Sequence, residues 1–250
     1  SGSCCDPLCC SPNQDSPFKE SYDHLEGYEP DADYGLGCGI PTDSALIKKG
    51  QTVLDLGSGA GNDVFVARRL VGETGRVFGV DMTEAMVKKA NENKAKLGYE
   101  NVQFVLGEIE DLPLPDSIID VAISNCVMNL VPDKNKAYGE VYRVLRNGGH
   151  FSISDVVLSG DLPEKIVNAA EMYAGCVSGA MGKEDYLNAI KNAKFENIKV
   201  EKEKEILIPD GVLKNYLNEK EIEEFRNTGA KILSITVVGE KGCCDTSNCC

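Results

Sequence analysis

Short apolar runs alternate with longer amphipathic segments through the central part of the chain. Such runs are typical of strands buried on both faces, and the segments between them have the spacing of helices. Thr83 can cap one of these helices and Gly98 can end it. The pattern predicts strands at 52–56, 76–80, 102–106, 118–124 and 150–156, with helices at 62–70, at 83–98 and from Asp133 to Gly148.

Strands separated by helices of this length predict a mostly parallel sheet covered on both faces, and the right-handed crossover rule makes it a doubly wound α/β fold. Residues 160–241 do not continue this alternation of strands and helices. We expect their strands to pair antiparallel at the sheet edge and their helices to cap the strand ends. The predicted elements there are helices at 163–180, 183–194 and 211–227, an extended stretch at 198–208 and a strand at 231–238.

The chain of 250 residues is long enough for one large domain or for one domain plus an appendage, and its 42% hydrophobic and 26% charged residues are typical of a globular protein. Forty acidic and 26 basic side chains give a net charge of −14, which argues against a nucleic-acid or anionic-membrane surface. No apolar run approaches the roughly 18 residues of a transmembrane helix, and no signal-peptide layout is present. We therefore expect a cytoplasmic protein that binds neither nucleic acid nor membranes.

Eleven cysteines are unusual for such a chain, and their placement is informative. Eight form vicinal pairs near the two ends, at 4–5, 9–10, 243–244 and 249–250. Only Cys38, Cys126 and Cys176 lie in the body of the chain. A disulfide scaffold would spread its cysteines through a small chain, so this distribution favours reduced thiols with a chemical role.

The first predicted strand runs into a glycine-rich loop, Asp55-Leu-Gly57-Ser-Gly59-Ala-Gly61. Glycine allows positive φ and close approach of the backbone to a ligand. The loop has no Gly-Lys-Ser/Thr, which disfavours a phosphate-binding P-loop. Because Asp55 precedes the glycines, the loop suits an ammonium or sulfonium group better than a pyrophosphate.

The next three predicted strands also end in polar residues. Asp81 ends the second strand, where a ribose diol would be hydrogen-bonded. The third strand ends in residues 107–109 and the fourth in Ser124-Asn125-Cys126. Together with the glycine loop, this set resembles the S-adenosylmethionine site of class I methyltransferases and covers residues 50–157.

The resemblance implies a Rossmann-like methyltransferase fold and S-adenosylmethionine as the cofactor. It assigns the glycine loop to the methionine portion, Asp81 to the ribose and Met82 to the adenine, and it leaves open which of residues 107–109 contacts the adenine. Asn125 would face both cofactor and substrate. The implied cofactor-binding residues are Asp55, Gly57, Gly59, Gly61, Asp81, Met82, Glu108, Ile109 and Asn125.

Local sequences around the three body cysteines resemble a narrower family, the arsenite methyltransferases. The similar segments are Gly37-Cys38-Gly39, Val80–Thr83, Ile123–Val131 with its Ser-Asn-Cys block, and Gly175–Ala180. The likeness spans residues 34–180 and weakens in the last 70 residues. It implies that Cys38, Cys126 and Cys176 bind trivalent arsenic as the substrate and are the catalytic residues.

This chemistry agrees with the residues present. Trivalent arsenic is soft and prefers thiolates, and three thiolates leave its lone pair able to accept a methyl group. The nucleophile carries no proton, so no general base is needed, and His24 and His150 are expected to be structural or solvated. Methylation leaves arsenic formally pentavalent, and thiols can reduce it with formation of a disulfide. We expect a thiol reductant, such as thioredoxin or a small thiol, and cysteines 4, 5, 9 and 10 are candidates for the redox-active thiol.

The implied organisation has four parts. They are a flexible Cys-rich segment at 1–30, a methyltransferase domain at 31–158, a substrate-side segment at 159–241 that closes the active site, and a Cys-rich tail at 242–250.

Two other functions remain open on the sequence. One is a class I methyltransferase for a small organic substrate such as a quinone, in which the cysteines would be incidental. The other is a protein that sequesters thiophilic metals without turnover, although this leaves the glycine loop, Asp55 and Asp81 without a role.

Overall fold

A computed structural model describes residues 20–173, 177 and 179–243, apart from the side chains of 169–173. One seven-stranded sheet forms its centre, in the order β3-β2-β1-β4-β5-β7-β6. The strands are β1 (Thr52–Leu56), β2 (Arg76–Asp81), β3 (Val102–Leu106), β4 (Ile119–Asn125), β5 (Leu145–Ser159), β6 (Glu196–Ile206) and β7 (Lys231–Glu240).

The first five strands are parallel, and β7 runs antiparallel to both β5 and β6. The strand order reverses between β1 and β4, which creates the crevice where ligands bind in open α/β sheets. The predicted doubly wound fold and its antiparallel end are confirmed.

Eight α-helices flank this sheet within the described part of the chain. They are α1 (Pro41–Ser44), α2 (Asn62–Val71), α3 (Glu84–Leu97), α4 (Lys134–Val144), α5 (Glu164–Tyr173), α6 (Lys183–Asn192), α7 (Asp210–Leu213) and α8 (Glu219–Thr228). Short 3-10 turns lie at Pro30–Ala32 and Met128–Leu130. None of the described helices combines the length and the apolar character needed to cross a membrane.

Alternation along β1 places successive side chains on opposite faces of the sheet. Val53 packs in a cluster with Phe65 of α2, whereas Leu54 packs in a cluster with Tyr138 of α4 and Tyr186 of α6. Both faces are therefore covered by helices, which explains why the strand sequence is a nearly continuous apolar run.

Two predicted helix boundaries are wrong. The helix expected to reach Gly148 ends at Val144, because Leu145 pairs with Ile119 and the chain enters β5 directly. The single helix expected at 211–227 is two helices, α7 and α8.

A capping box explains the second of these corrections. Asn218 accepts a hydrogen bond from the Glu221 amide, and the Glu221 side chain accepts one from the Asn218 amide. These reciprocal bonds start a new helix where the apolar spacing alone suggested continuity. The helix predicted at 163–180 is described as α5, and its expected last turns include residues outside the described part.

The chain packs onto the domain earlier than the boundary expected at residue 31. Tyr22 is buried, and its hydroxyl lies 2.9 Å from Asp63 Oδ1 and 3.0 Å from the Gly39 carbonyl oxygen. Residues just before position 31 therefore contribute to the core near the glycine loop.

A buried carboxyl group joins β5 to α6. Asp155 Oδ2 accepts a hydrogen bond from Tyr186 Oη at 3.0 Å, and Asp155 Oδ1 accepts one from the Val156 amide at 3.1 Å. Burial raises the pKa of Asp155 from 3.8 to about 7, because desolvation penalises the carboxylate more than these bonds stabilise it.

This raised pKa predicts that stability falls with rising pH. In the unfolded chain Asp155 ionises near pH 4, whereas in the folded protein it stays protonated until about pH 7, so ionisation favours the unfolded state across this interval. Between pH 5 and pH 8, we expect the free energy of unfolding of the wild type to fall by roughly 2–3 kcal/mol more than that of Asp155→Asn. Urea unfolding at both pH values measures the difference. Asp161→Asn, an exposed carboxyl control, should retain the wild-type dependence, and an equally steep Asp155→Asn curve would contradict the assignment.

Candidate active site

The glycine loop after β1 is held against the end of β2. The amides of Gly57 and Ser58 both donate to the Val80 carbonyl oxygen, at 2.8 and 3.0 Å. Gly57, Gly59 and Gly61 have φ values of +69°, +51° and +104°, in the region that side-chain-bearing residues rarely adopt.

The three glycines differ in what a side chain would meet. A Cβ at Gly57 would lie 2.5 Å from Val127, and one at Gly61 would lie 2.8 Å from Phe65. A Cβ at Gly59 meets nothing within 4 Å. Packing accounts for the first and third glycines, whereas the backbone of Gly59 borders open space that a ligand can approach.

Buried acidic and polar groups lie in and next to the glycine loop. Asp55 at the end of β1 and Asp63 at the start of α2 are both buried, and neither forms an ion pair with a Lys or Arg in the described part. Ser58 Oγ and Asn62 Oδ1 are also buried, with no hydrogen-bond partner among the described residues. A ligand, a water molecule or an ion can satisfy such atoms.

The charges in this region fit a cationic ligand. Burial raises the pKa of Asp55 well above its ordinary value, and the nearby carboxylates of Asp63 and Asp81 raise it further. Burial also raises the pKa of Asp63 to about 6, although hydrogen bonds from Asn125 and Tyr22 oppose the shift. A sulfonium or ammonium group would compensate these buried carboxylates, whereas an anionic phosphate would be repelled.

Asp81 connects the glycine loop to the end of β2. Its Oδ2 accepts from the Gly59 amide at 2.9 Å and its Oδ1 from the Thr83 amide at 2.8 Å. Beyond it, the Met82 side chain is 74% exposed, and Leu106 is also exposed. These two apolar side chains, at the ends of neighbouring strands, provide a surface on which an aromatic ring can lie.

The two residues expected on the adenine side have different environments. Ile109 is buried in the core cluster, whereas Glu108 is exposed and forms an isolated bridge with Asp111. The side chain of Glu108 is therefore the more accessible of the two to a bound ligand.

Asn125, the last residue of β4, holds the loop that carries Cys38. Its Oδ1 accepts from the Cys38 amide at 3.0 Å. Its Nδ2 lies 2.8 Å from both the Gly39 carbonyl oxygen and Tyr22 Oη, and 3.2 Å from Asp63 Oδ2. One side chain thus connects the cysteine loop to an acid of the cofactor region.

Cys38 and Cys126 come together next to this asparagine. Their Sγ atoms and a carboxylate oxygen of Asp155 all lie within 4.8 Å of one another, and all three residues are buried. The two cysteines are far apart in sequence, so the fold creates this cluster. It contains no histidine among the described residues: His24 is exposed, and His150 Nε2 lies 2.6 Å from the Ala45 carbonyl oxygen.

Local geometry directs both sulfur atoms. Cys126 has a φ of +59° and its amide donates to the Ser154 carbonyl oxygen at 2.8 Å, which turns the chain sharply after β4. Ser234 Oγ of β7 donates to the Cys38 carbonyl oxygen at 2.6 Å. A Cβ at Gly39 would lie only 2.6 Å from Ser154 Oγ, so a larger residue there would push the Cys38 loop off the sheet.

The third predicted arsenic ligand, Cys176, lies outside the described residues, as do cysteines 4, 5, 9 and 10. Sequence reasoning missed Asp155, Asp63 and Tyr22. For Asp155 the sequence held one clue, an acidic residue near the carboxyl end of a predicted parallel strand, where active-site residues of α/β folds are found. For Tyr22 the signal is weak, an isolated aromatic residue in a polar stretch.

Relatives of known name cover most of the described chain. An arsenite methyltransferase of Halobacterium salinarum is 44% identical over 200 residues, which are 77% of this chain and 50% of that protein. The crystal structure of an arsenic(III) S-adenosylmethionine methyltransferase from Chlamydomonas reinhardtii is 36% identical, with a TM-score of 0.66 over 81% of this chain and 66% of that chain. The predicted resemblance is confirmed, and the chain spans about half the length of the curated relatives it matches.

A relative with lower coverage is named as a methyltransferase of quinone biosynthesis. The ubiquinone/menaquinone biosynthesis C-methyltransferase of Escherichia coli is 36% identical over 133 residues, which are 53% of this chain and 52% of that protein.

Residues 47–207 match a family described as a methyltransferase domain, and this range contains the glycine loop, Asp81, Asn125 and Cys126. Since the match covers more than half of the chain, the protein belongs to this methyltransferase family.

Proposed function

We propose that the protein uses S-adenosylmethionine to methylate trivalent arsenic, taken up as arsenite or its thiol conjugate and held by cysteine thiolates. The observation that carries the proposal is the approach of Cys38 and Cys126 beside the acidic glycine-loop crevice, with their sulfur atoms within 4.8 Å. The names of the relatives agree with this substrate.

The residues around the glycine loop fit the cofactor. When bound, S-adenosylmethionine would supply an electrophilic methyl group on a sulfonium. The backbone at Gly59 gives it room, Asp55 compensates its positive charge, and Asp81 hydrogen-bonds its ribose. Met82, Glu108 and Ile109 belong to its adenine side, and Gly57 and Gly61 shape the loop.

Asn125 has a positioning role in this proposal. All of its described hydrogen bonds go to protein atoms, including the Cys38 amide and Asp63. It therefore acts by fixing the distance between the thiolates and the cofactor region.

The cysteines would bind arsenic as thiolates because arsenic(III) is soft. We assign Cys176 as the third ligand on the family resemblance. Three sulfur ligands leave the arsenic lone pair as the nucleophile, so an arsenic–carbon bond can form without proton removal. The fold accelerates the reaction by holding arsenic and the methyl group in line, and positioning of this kind can contribute several kcal/mol.

Repeated turnover requires a reductant. After methyl transfer arsenic is formally pentavalent, and two thiols can return two electrons to it by forming a disulfide. We propose that an N-terminal cysteine pair takes this part, that thioredoxin or a small thiol regenerates it, and that the reaction serves arsenic detoxification in the cytoplasm, where thiols stay reduced.

A quinone-like organic substrate is the second candidate, favoured by the similarity to the Escherichia coli quinone methyltransferase. Two buried thiols beside the crevice have no role in that chemistry. Methylation of a quinone acceptor with no arsenic product would favour this alternative.

The two glycine positions of the loop predict separable effects. Gly59→Ala should cost about 1 kcal/mol of stability, since only its φ is strained, and it should weaken S-adenosylmethionine binding roughly tenfold. Gly57→Ala adds a clash with Val127 and should cost about 2–4 kcal/mol. Thermal unfolding and calorimetric titration with the cofactor measure both. Undiminished affinity in Gly59→Ala would show that this space is not the cofactor site.

Arsenite supplied with methyl-labelled S-adenosylmethionine and excess thiol should yield methylated arsenic. Cys126→Ser should reduce turnover to background while retaining cofactor affinity, because oxygen is a poor ligand for arsenic(III). Cys243→Ser, at an exposed position, is the matched control and should remain active. If the wild type forms no product, or Cys126→Ser stays active, the thiolate mechanism is wrong.

Replacing cysteines 4, 5, 9 and 10 by serine should leave the first methylation intact and slow later turnovers. A single-turnover assay and a multiple-turnover assay with the same reductant separate the two steps. Equal multiple-turnover rates in both proteins would exclude a redox role for these cysteines.

A further inference from the structure

The thiol cluster contains a carboxylate that arsenic chemistry does not require. An arsenic(III) ion in a site of three thiolates is satisfied by sulfur alone, yet an oxygen of Asp155 lies within 4.8 Å of both Sγ atoms. We propose that Cys38, Cys126 and Asp155 also form a binding site for a thiophilic divalent cation of the Zn²⁺ class.

The ligand types match this class of ion. Zn²⁺ binds Cys sulfur at about 2.3 Å and Asp oxygen at about 2.0–2.2 Å in tetrahedral geometry, which places neighbouring ligand atoms about 3.5 Å apart. The observed separations are up to 4.8 Å, and side-chain shifts of about 1 Å would shorten them to this value. Two thiolates and one carboxylate carry three negative charges, so a divalent cation removes most of the repulsion among them.

The carboxylate is already oriented. Tyr186 Oη donates to one oxygen of Asp155 and the Val156 amide to the other, and the Asn129 backbone adds a third bond, so a carboxylate with four lone pairs keeps one for an ion. Hydrogen bonds of this kind fix the direction of a metal-binding carboxylate and strengthen its binding.

The effect of Zn²⁺ binding on the enzyme rests on the proposed function. The same two sulfur atoms would hold arsenic, so a bound divalent cation excludes arsenite and makes the enzyme sensitive to free Zn²⁺. Asp155 affects the affinities for Zn²⁺ and arsenite differently, because its hard oxygen contributes to the binding of Zn²⁺ and little to that of soft arsenic(III).

The terminal cysteine pairs would also bind Zn²⁺, so the test uses the full chain with all eight of them changed to serine. Calorimetric titration of this parent with Zn²⁺ alone should give one ion per chain. Asp155→Asn in the same background should weaken the binding at least about tenfold, whereas the exposed control Asp161→Asn should not change it. Arsenite affinity should change less than Zn²⁺ affinity in Asp155→Asn.

Titration of the parent with Co²⁺ tests the proposal without altering Asp155, since intense visible bands with sulfur-to-cobalt charge transfer identify a tetrahedral thiolate site. Their loss in Cys126→Ser would assign the sulfur ligand. The absence of a stoichiometric site in the parent, or equal Zn²⁺ affinity in the parent and Asp155→Asn, would overturn the proposal. Because these readouts do not use methyl transfer, Zn²⁺ binding by a protein inactive on arsenite would refute the proposed function alone.

Discussion

The amide of Asn125 joins three separate parts of the chain, and the geometry of the candidate site depends on it. Its oxygen accepts from the Cys38 amide, and its nitrogen lies within hydrogen-bonding distance of Tyr22, Gly39 and Asp63. Gly37 permits this arrangement, since a Cβ there would lie 2.6 Å from Asn125 Nδ2. Because Cys126 follows directly after the asparagine, the same β-strand end that holds the Cys38 loop also delivers the second thiol. A partly buried, fully engaged amide of this kind specifies one arrangement, as leaving any of its polar atoms unbonded would be costly.

Buried acids give the crevice its chemical character. Asp55, Asp63 and Asp155 are all buried, and burial raises the pKa of each. A folded protein keeps such groups either protonated or next to a positive ligand, and the two cases affect stability differently. Protonation makes stability depend on pH, whereas a cationic ligand that binds only the folded state stabilises the protein as its concentration rises. The site therefore connects cofactor binding, proton binding and folding.

Most features that local sequence patterns encode are predicted correctly, whereas several contacts between distant residues are not. The central strands and the glycine loop follow from hydrophobic runs and glycine spacing, which need only neighbouring residues. The hydrogen bond between Cys38 and Asn125 spans 87 positions, and the placement of Asp155 beside two thiols requires β4, β5 and the Cys38 loop to meet. The sequence predicts a flexible segment around Tyr22, because isolated aromatic residues in a polar stretch are a weak indication of burial. The α7–α8 break was missed because its capping box lay within a continuous apolar spacing.

The antiparallel strand β7 has a part in the site as well as in the sheet. Ser234 on this strand donates to the Cys38 carbonyl oxygen across 196 positions, and Thr236, two residues further on, is hydrogen-bonded to Ser154 beneath the same loop. The parallel strands of the doubly wound fold place the glycine loop, Asn125 and Cys126, and Ser152 of β5 donates to the Pro41 carbonyl oxygen just after the Cys38 loop. With β7 inserted next to β5, the loop is fixed from both sides, by Asn125 and by Ser234. The two thiols can then be kept at a distance that suits the binding of one ligand in the apolar interior. A loop held at one side only would lose more conformational entropy on being fixed and would not keep this distance. The antiparallel strand thus helps to position the loop that carries Cys38 beside Cys126.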